Sequence, residues 1–335
     1  MTGPRRGHVK GVRISALGVY VPERVLTNDE LSRTIDTSDE WIASRTGIRE
    51  RRIAAPEQAC SDLAIKAAEA ALTSSGIAAA DIDLVIVSTI TPDMLFPATA
   101  CIVADAIGAT RAGGFDLEAG CTGFVYGLAV ASGLVAAGIY TNVMVVGAEV
   151  LSRVVDWEDR RTCVLFGDGA GAVVVSPSEV DSVFTFDLGS DGAGADFLLV
   201  PAGGSRRPAT HATVDAHEHT MRMIGPEVYK FATRVVVESC EKVLGEAGVS
   251  PADIDLFVPH QANLRIIETA ARRIGFSPEQ VFTNIDRYGN TSCASIPLCL
   301  AEAVENGRLK KGDTLLMAGF GAGLTWGSCL TRWEL

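Results

Sequence analysis

Among the eight cysteines of the 335-residue chain no two stand in C-x-x-C spacing, and most lie inside apolar runs. That excludes a zinc site of the usual spacing and a disulfide framework, and leaves thiols that stay reduced. A basic excess is also missing. A formal net charge of -12 excludes the dominant basic surface that non-specific nucleic-acid binding requires, so an acidic partner would need a local basic patch. With only 21% charged residues against 47% hydrophobic ones, the chain has too little charge for extended disorder and enough apolar mass for one large core or two moderate ones. Residues 1–13 carry Arg5, Arg6, Lys10 and Arg13, but no apolar run with a small-residue cleavage site follows. No secretory signal is expected, and the cytoplasm is the default compartment. Residues 121–138 reach the length of a membrane span without a charge, yet hold four glycines and lack a basic flank. They are expected to form a helix buried in a soluble core.

What is present is an alternation of strand-like runs with longer apolar-periodic segments, the pattern of an α/β protein. Strands are expected at residues 12–21, 82–89, 114–117, 143–147 and 171–176, then at 183–188, 254–258, 281–285, 314–319 and 328–333. Residues 80–84 and 252–256 both read ADIDL, 172 positions apart, and Gly76 and Gly248 precede them at matching places. One α/β unit is therefore expected twice, over 1–176 and 177–335. Residues 190–220, rich in Gly, Ala, Pro and His, read as a long loop between the halves.

Cys121 follows the strand-like Phe115-Asp116-Leu117 and Gly120, at the first turn of the apolar helix. There the unpaired N–H groups and the positive end of the helix dipole favour a thiolate. A small buried cysteine at a helix start is the plain alternative, and position alone does not separate the two. His260 stands at the C-terminal end of the 254–258 strand, the edge of an α/β sheet where ligands bind. His8 lies in the basic tail and His211, His217 and His219 in the loop-like excursion; no metal site is expected of them. Asn290 sits between the 281–285 strand and the helix expected from Ser295, three residues before Cys293, the position that duplication matches to Cys121. A turn or helix cap would also explain an Asn beside Gly. Three such groups at three strand ends favour a catalytic constellation. Gly319-Phe320-Gly321-Ala322-Gly323 offers backbone N–H groups for an oxyanion. Gly167-Asp168-Gly169-Ala170-Gly171 precedes a strand rather than a helix, so it is a weak nucleotide signal.

From about Val12 onward the chain resembles β-ketoacyl-acyl-carrier-protein synthase III, a thiolase-fold condensing enzyme. The resemblance rests on Ser38-Asp39-Glu40-Trp41-Ile42 with Arg45-Thr46-Gly47-Ile48, Cys121 with Gly123-Phe124, Phe166-Gly167-Asp168-Gly169-Ala170-Gly171, Pro259-His260-Gln261-Ala262-Asn263, Gly289-Asn290-Thr291-Ser292 and Phe320-Gly321-Ala322-Gly323. It implies two duplicated α/β halves in a five-layered αβαβα core, working as a homodimer. It also implies that Cys121 takes an acyl group from acyl-coenzyme A, with the N–H groups of Cys121 and Ala322 holding the oxyanion. His260 and Asn290 then stabilise the enolate formed when malonyl-acyl-carrier protein loses carbon dioxide. Coenzyme A would meet Trp41, Arg45, Arg160, Gly225 and Asn263. Lys230, Arg234, Arg265 and Arg272 would dock the acidic carrier protein, and Phe96 would reach the partner's acyl pocket. Acyl-coenzyme A enters as a substrate, and no resident cofactor or metal is implied.

Relatives within the fold are separated by single positions. A 3-hydroxy-3-methylglutaryl-coenzyme A synthase needs a glutamate where this chain has Ile90. A thiolase has a second cysteine at the C-terminal glycine-rich turn, here Gly319-Phe320, and elongating synthases use a second histidine in place of Asn290. A pathway-specific condensing enzyme of secondary metabolism would share the triad. A non-catalytic partner subunit would be expected to have lost the nucleophile, which is present.

Overall fold

The structure, a computed structural model, describes residues 7–180 and 183–335, so Arg5 and Arg6 of the basic tail lie outside the described residues. The first half runs β1 (His8–Lys10), β2 (Val12–Tyr20), β3 (Arg24–Thr27), α1 (Asn28–Leu31), α2 (Asp39–Thr46), β4 (Glu50–Ile53), α3 (Cys60–Ser75), β5 (Leu84–Ser88), α4 (Thr99–Ala106), β6 (Gly113–Leu117), α5 (Gly123–Ala136), β7 (Val143–Val150) and β8 (Asp168–Pro177). The second runs β9 (Val183–Ser190), β10 (Leu198–Leu199), α6 (His211–Asp215), β11 (Arg222–Met223), α7 (Gly225–Ala247), β12 (Leu256–Pro259), α8 (Leu264–Ile274), α9 (Ile285–Tyr288), α10 (Ser295–Glu305), β13 (Thr314–Gly321) and β14 (Thr325–Arg332).

Side-chain alternation along the strands decides the layers. In β5, Ile86 points into an interior shared by both sheets, while Val85 and Val87 point out under α3 and α4. In β12, Leu256 and Val258 point into that interior, and Phe257 points out under α7 and α8. Between the sheets lie α5 and α10, whose Phe124, Leu128, Ile296 and Leu300 join strands of both sheets in one cluster. The order is αβαβα. Each such side chain contributes about 1.5–3 kcal/mol by burial. The uncharged 121–138 segment thus contains a central helix, apolar all round because each face meets a sheet. Among the described residues no helix is long and apolar enough to cross a membrane.

The two five-stranded sheets have the orders β2-β8-β7-β5-β6 and β1-β9-β14-β13-β12. The series β2-β8-β7-β5 repeats as β9-β14-β13-β12, with β5 parallel to β7 and β12 parallel to β13. The ADIDL repeats occupy equivalent places. Asp83 N–H donates to the Asn142 carbonyl at 2.9 Å and Asp255 N–H to that of Thr314 at 3.0 Å. Each carboxylate accepts the return bond, from Asn142 N–H at 3.0 Å and from Thr314 N–H at 2.8 Å. Although β1 lies in the first half of the sequence, it forms the edge of the second sheet, paired with β9.

Nine of the ten expected strands form, and 281–285 does not. Only Val281 bridges Phe257, at the place that β6 fills beside β5 in the first half, before the chain turns into α9. Asn284 explains the break. Its N–H donates to the Gln261 side chain at 3.1 Å and its amide to Glu302 at 3.0 Å, so its backbone is drawn out of the ladder. The expected loop at 190–220 carries short elements of its own, β10 and α6.

Candidate active site

Cys121 lies in the tight connection between β6 and α5, two residues before the helix, with Thr122 at its N-cap position. Gly120 has φ +54°, and a Cβ there would fall 2.7 Å from the backbone N and O of Ala322. A Cβ on Gly321 would fall 2.3 Å from the Cys121 backbone N. The Cys121 turn and the C-terminal glycine turn are therefore in backbone contact, and Cys121 and Ala322 line one cavity. Two threonines stitch the turns together. The Thr122 and Thr325 hydroxyls are 2.7 Å apart, and Thr325 donates toward the Ala119 carbonyl at 2.8 Å. Thr122 is half of this clamp.

The thiol is not the thiolate expected from the helix start. Burial pushes Cys121 up to about 12, and the nearby Glu149 charge adds to the push, against a hydrogen bond from the Ser292 hydroxyl. Since α5 begins only at Gly123, Cys121 lies outside the first turn rather than in it, and desolvation outweighs the helix end.

His260 follows β12 and is 2% exposed. Burial holds the imidazole down to about 3, so it is neutral. Its Nδ1 lies 2.7 Å from the Ser295 hydroxyl oxygen, which also accepts the Gln261 N–H at 3.3 Å. We assign the Ser295 proton to Nδ1 and the ring hydrogen to Nε2. Nε2 has no partner among the described residues. Asn290 does not follow a strand, as sequence suggested, but comes after α9. It is held by its N–H to the Leu165 carbonyl at 2.8 Å and by Gly167 N–H to its own carbonyl at 3.0 Å. Its Oδ1 accepts the Ser292 N–H at 2.8 Å, which commits the amide oxygen and leaves Nδ2 as the outward donor. Ser292 itself has φ +47°.

One cavity of about 270 Å³ joins these groups to the mouth of the site. Cys121, His260, Asn290 and Phe320 line its inner part, together with Trp41, Arg45, Arg160, Gly225 and Asn263. All three expected catalytic residues and all five expected coenzyme A residues thus share one space. The Arg45 and Arg160 guanidiniums lie 4.6 and 5.2 Å from the Trp41 ring centre, a cation-π pair on one indole. Asn263 caps α8, its Oδ1 accepting Arg265 N–H at 2.9 Å, and its amide reaches the Arg45 carbonyl at 3.1 Å. A second cavity of about 410 Å³ opens on the other side of Cys121, between Ile90, Leu151, Val154, Leu198, Met221 and Ala322. Leu198 lies in the loop-like excursion and Met221 borders it, so that segment supplies part of this cavity's wall.

The remaining candidates lie outside these cavities. Lys230, Arg234, Arg265 and Arg272 are exposed on α7 and α8. Arg234 pairs with Glu238 at 2.9 Å and Arg265 donates to the Ser44 carbonyl at 2.6 Å, while Lys230 and Arg272 form no ion pair among the described residues. Phe96 and its neighbour Leu95 are each 83% exposed and touch neither cavity of their own chain. The 167–171 glycine motif is structural: Asp168 opens β8 and accepts the N–H groups of Ala54 at 2.7 Å and Ser152 at 2.9 Å. Sequence reasoning also missed Ser295, Ser292 and Glu149, because a serine in a helix start and a glutamate in a strand have no diagnostic spacing.

Family models described as 3-oxoacyl-[acyl-carrier-protein] synthase III match residues 115–192, and its C-terminal part residues 244–333. The β-ketoacyl-[acyl-carrier-protein] synthase III of Desulfitobacterium hafniense is 53% identical over 324 residues, 96% of this chain and 98% of that protein. The solved synthase III of Thermus thermophilus is 49% identical with a TM-score of 0.89, covering 96% of this chain and 99% of the other. The priming β-ketosynthase of the R1128 polyketide pathway is 38% identical with a TM-score of 0.91, covering 99% of each. Identity is higher to the synthase III relatives than to the polyketide priming enzyme, which does not favour the pathway-specific alternative. About half of the residues are shared along nearly the full length of both chains, well beyond what a common fold requires, and this chain belongs to the 3-oxoacyl-[acyl-carrier-protein] synthase III family of condensing acyltransferases.

Proposed function

We propose that the chain joins an acyl-coenzyme A primer to malonyl-acyl-carrier protein in two half-reactions at Cys121, starting fatty-acid synthesis. The observation that carries this reading is the convergence of a thiol, a neutral imidazole and an outward amide on the inner part of one cavity. In the first half-reaction the Cys121 sulfur attacks the thioester carbonyl, the N–H groups of Cys121 and Ala322 receive the developing oxyanion, and coenzyme A departs. Trp41, Arg45 and Arg160 hold its nucleotide end, and Gly225 and Asn263 border the path of its pantetheine arm. In the second, His260 Nε2–H and Asn290 Nδ2–H donate to the malonyl thioester oxygen. Carbon dioxide leaves, and the enolate carbon attacks the acyl-cysteine. Neutral donors suit this step, because they stabilise the enolate without trapping it as a tight ion pair.

Lys230, Arg234, Arg265 and Arg272 form the face offered to the acidic carrier protein, with Lys230 and Arg272 the residues whose charge is uncommitted. The working unit is a cytoplasmic homodimer in which Phe96 enters the partner's acyl pocket. Acyl-coenzyme A is a substrate, and no resident cofactor takes part.

Acyl-coenzyme A should label Cys121 in the intact protein, and Cys121→Ala should take up no acyl group and form no 3-oxoacyl product. Asn290→Ala should still acquire the acyl group while condensing about a hundredfold more slowly. Full condensation by Cys121→Ala, or equal loss of both half-reactions in Asn290→Ala, would contradict the assignment.

A further inference from the structure

An acyl chain on Cys121 has to lie where it does not block the malonyl group, which reaches the sulfur through the cavity that His260 and Asn290 line. The second cavity, on the other side of Cys121, offers that space. Two of its wall residues come from neighbouring strand ends: Ile90 follows β5 and Leu151 follows β7. These strands are parallel, and their ladder ends at Ser88 opposite Gly147. Beyond that pair the two chains part, and the crevice outside the carboxyl ends of parallel strands is where α/β sheets take ligands.

A buried carboxylate holds the parting chains. Glu149, in β7, has no exposed surface and forms no salt bridge among the described residues. The Ile90 N–H, beyond the last ladder pair, donates to both of its oxygens, at 3.2 and 3.3 Å, in place of a β7 carbonyl. The Thr91 hydroxyl donates to it at 2.7 Å and the Thr89 hydroxyl at 3.2 Å. That Thr91 hydroxyl also accepts the Val150 N–H at 2.9 Å, which ties the residue after Ile90 to the residue before Leu151. Cys60 of α3 closes the floor: its thiol donates to the Ala148 carbonyl at 3.4 Å and lies 3.4 Å from Thr89 Oγ1. Burial raises the Glu149 carboxyl above the ordinary carboxylate range, and the Thr91 hydroxyl and Ile90 N–H act against that by holding the charged form. A buried carboxylate without a cation is unfavourable, and neither half-reaction uses this one.

We propose that Glu149 sets the length of primer that Cys121 accepts, by fixing Ile90 relative to Leu151 at the wall of the second cavity. Glu149 is a positioning residue: it touches no substrate and acts through Ile90. The donors that converge on it explain why the residue is a carboxylate. An amide in its place would turn its own N–H groups toward one of them, and the Ile90 N–H, being backbone, cannot rotate away. Glu149→Gln therefore releases Ile90 while leaving almost no void. Thr91→Val does the same from the other side, removing a donor to Glu149 and the acceptor of the Val150 N–H at similar volume.

The inference rests on Cys121 as the acyl carrier, and the test separates the two. The rate of acyl transfer to the intact enzyme would be followed by mass for straight-chain primers from acetyl- to decanoyl-coenzyme A, in two-carbon steps. A wall that gives way discriminates less. The ratio of the rate for the best wild-type primer to that for the next longer one should fall about tenfold in Glu149→Gln and in Thr91→Val. A carboxylate that only stabilised the fold would lower all the rates together and leave the ratio as it is. Ile90→Ala changes the cavity wall directly. An altered ratio in Ile90→Ala, with unchanged ratios in folded Glu149→Gln and Thr91→Val, overturns the role of Glu149 and leaves the pocket intact. Unchanged ratios in all three overturn the pocket as well, and acyl label on Cys121→Ala overturns the nucleophile itself. If Glu149→Gln does not fold, the Thr91→Val ratio decides alone.

Discussion

At His260 the pH dependence follows from burial. An imidazole that ordinarily titrates at 6.5 and is held down to about 3 in the folded chain binds its proton only on unfolding across that interval. Its contribution to stability is therefore fully present above about pH 6.5 and is lost as pH falls toward 3. By pH 5 the loss is about 2 kcal/mol. Urea unfolding at pH 7 and pH 5 should show His260→Asn losing less stability on acidification than the wild type by about that amount, and an unchanged difference would mean that His260 is not buried neutral. The residue was legible in the sequence, because a histidine after a short apolar strand stands where α/β sheets bind ligands. Its protonation state was not, because it depends on burial, which only the fold decides, and its ring is held by Ser295, thirty-five positions away along the chain. The same limit misplaced the charge on Cys121: the helix start was visible, and the depth of burial was not.

At the level of elements, the contact between the nucleophile turn and the β13–β14 turn is made by backbone atoms on both sides. A methyl group at Gly321 would fall 2.3 Å from the Cys121 nitrogen, with no flexible side chain to yield. Gly321→Ala should cost about 1–3 kcal/mol in denaturant unfolding. Because the shift moves the Ala322 N–H relative to the sulfur, it should also slow acyl labelling of Cys121 more than it weakens coenzyme A binding. Wild-type labelling with reduced stability would detach that turn from the oxyanion. The motif was visible in the sequence as glycines, but which glycine meets which backbone was a property of the folded pair of turns. Strands were read well where apolar residues alternate. The reading failed at 281–285, where Asn284 bonds Gln261 and Glu302 instead of extending a ladder.

Across the whole molecule the duplication was legible from five repeated residues, and the sheets reproduce it down to matching aspartate bonds at Asp83 and Asp255. Periodicity within one chain says nothing about what covers its surface, and the expected homodimer came from the resemblance alone. Leu95 and Phe96 are an apolar tip that nothing in their own chain covers. Replacing both by aspartate should shift the protein toward monomer in light scattering and change the relative acylation rates of short and longer primers. A dimer with unaltered primer preference would remove Phe96 from the acyl pocket.

Cys293 stands two residues before α10 as Cys121 stands two before α5, and its sulfur rests 3.1 Å from the Gly120 carbonyl. The two equivalent junctions are thus pressed against each other. Symmetry in the repeat therefore ends in asymmetry of access: Cys121 lines both cavities, and Cys293, its counterpart in the other half, lines neither.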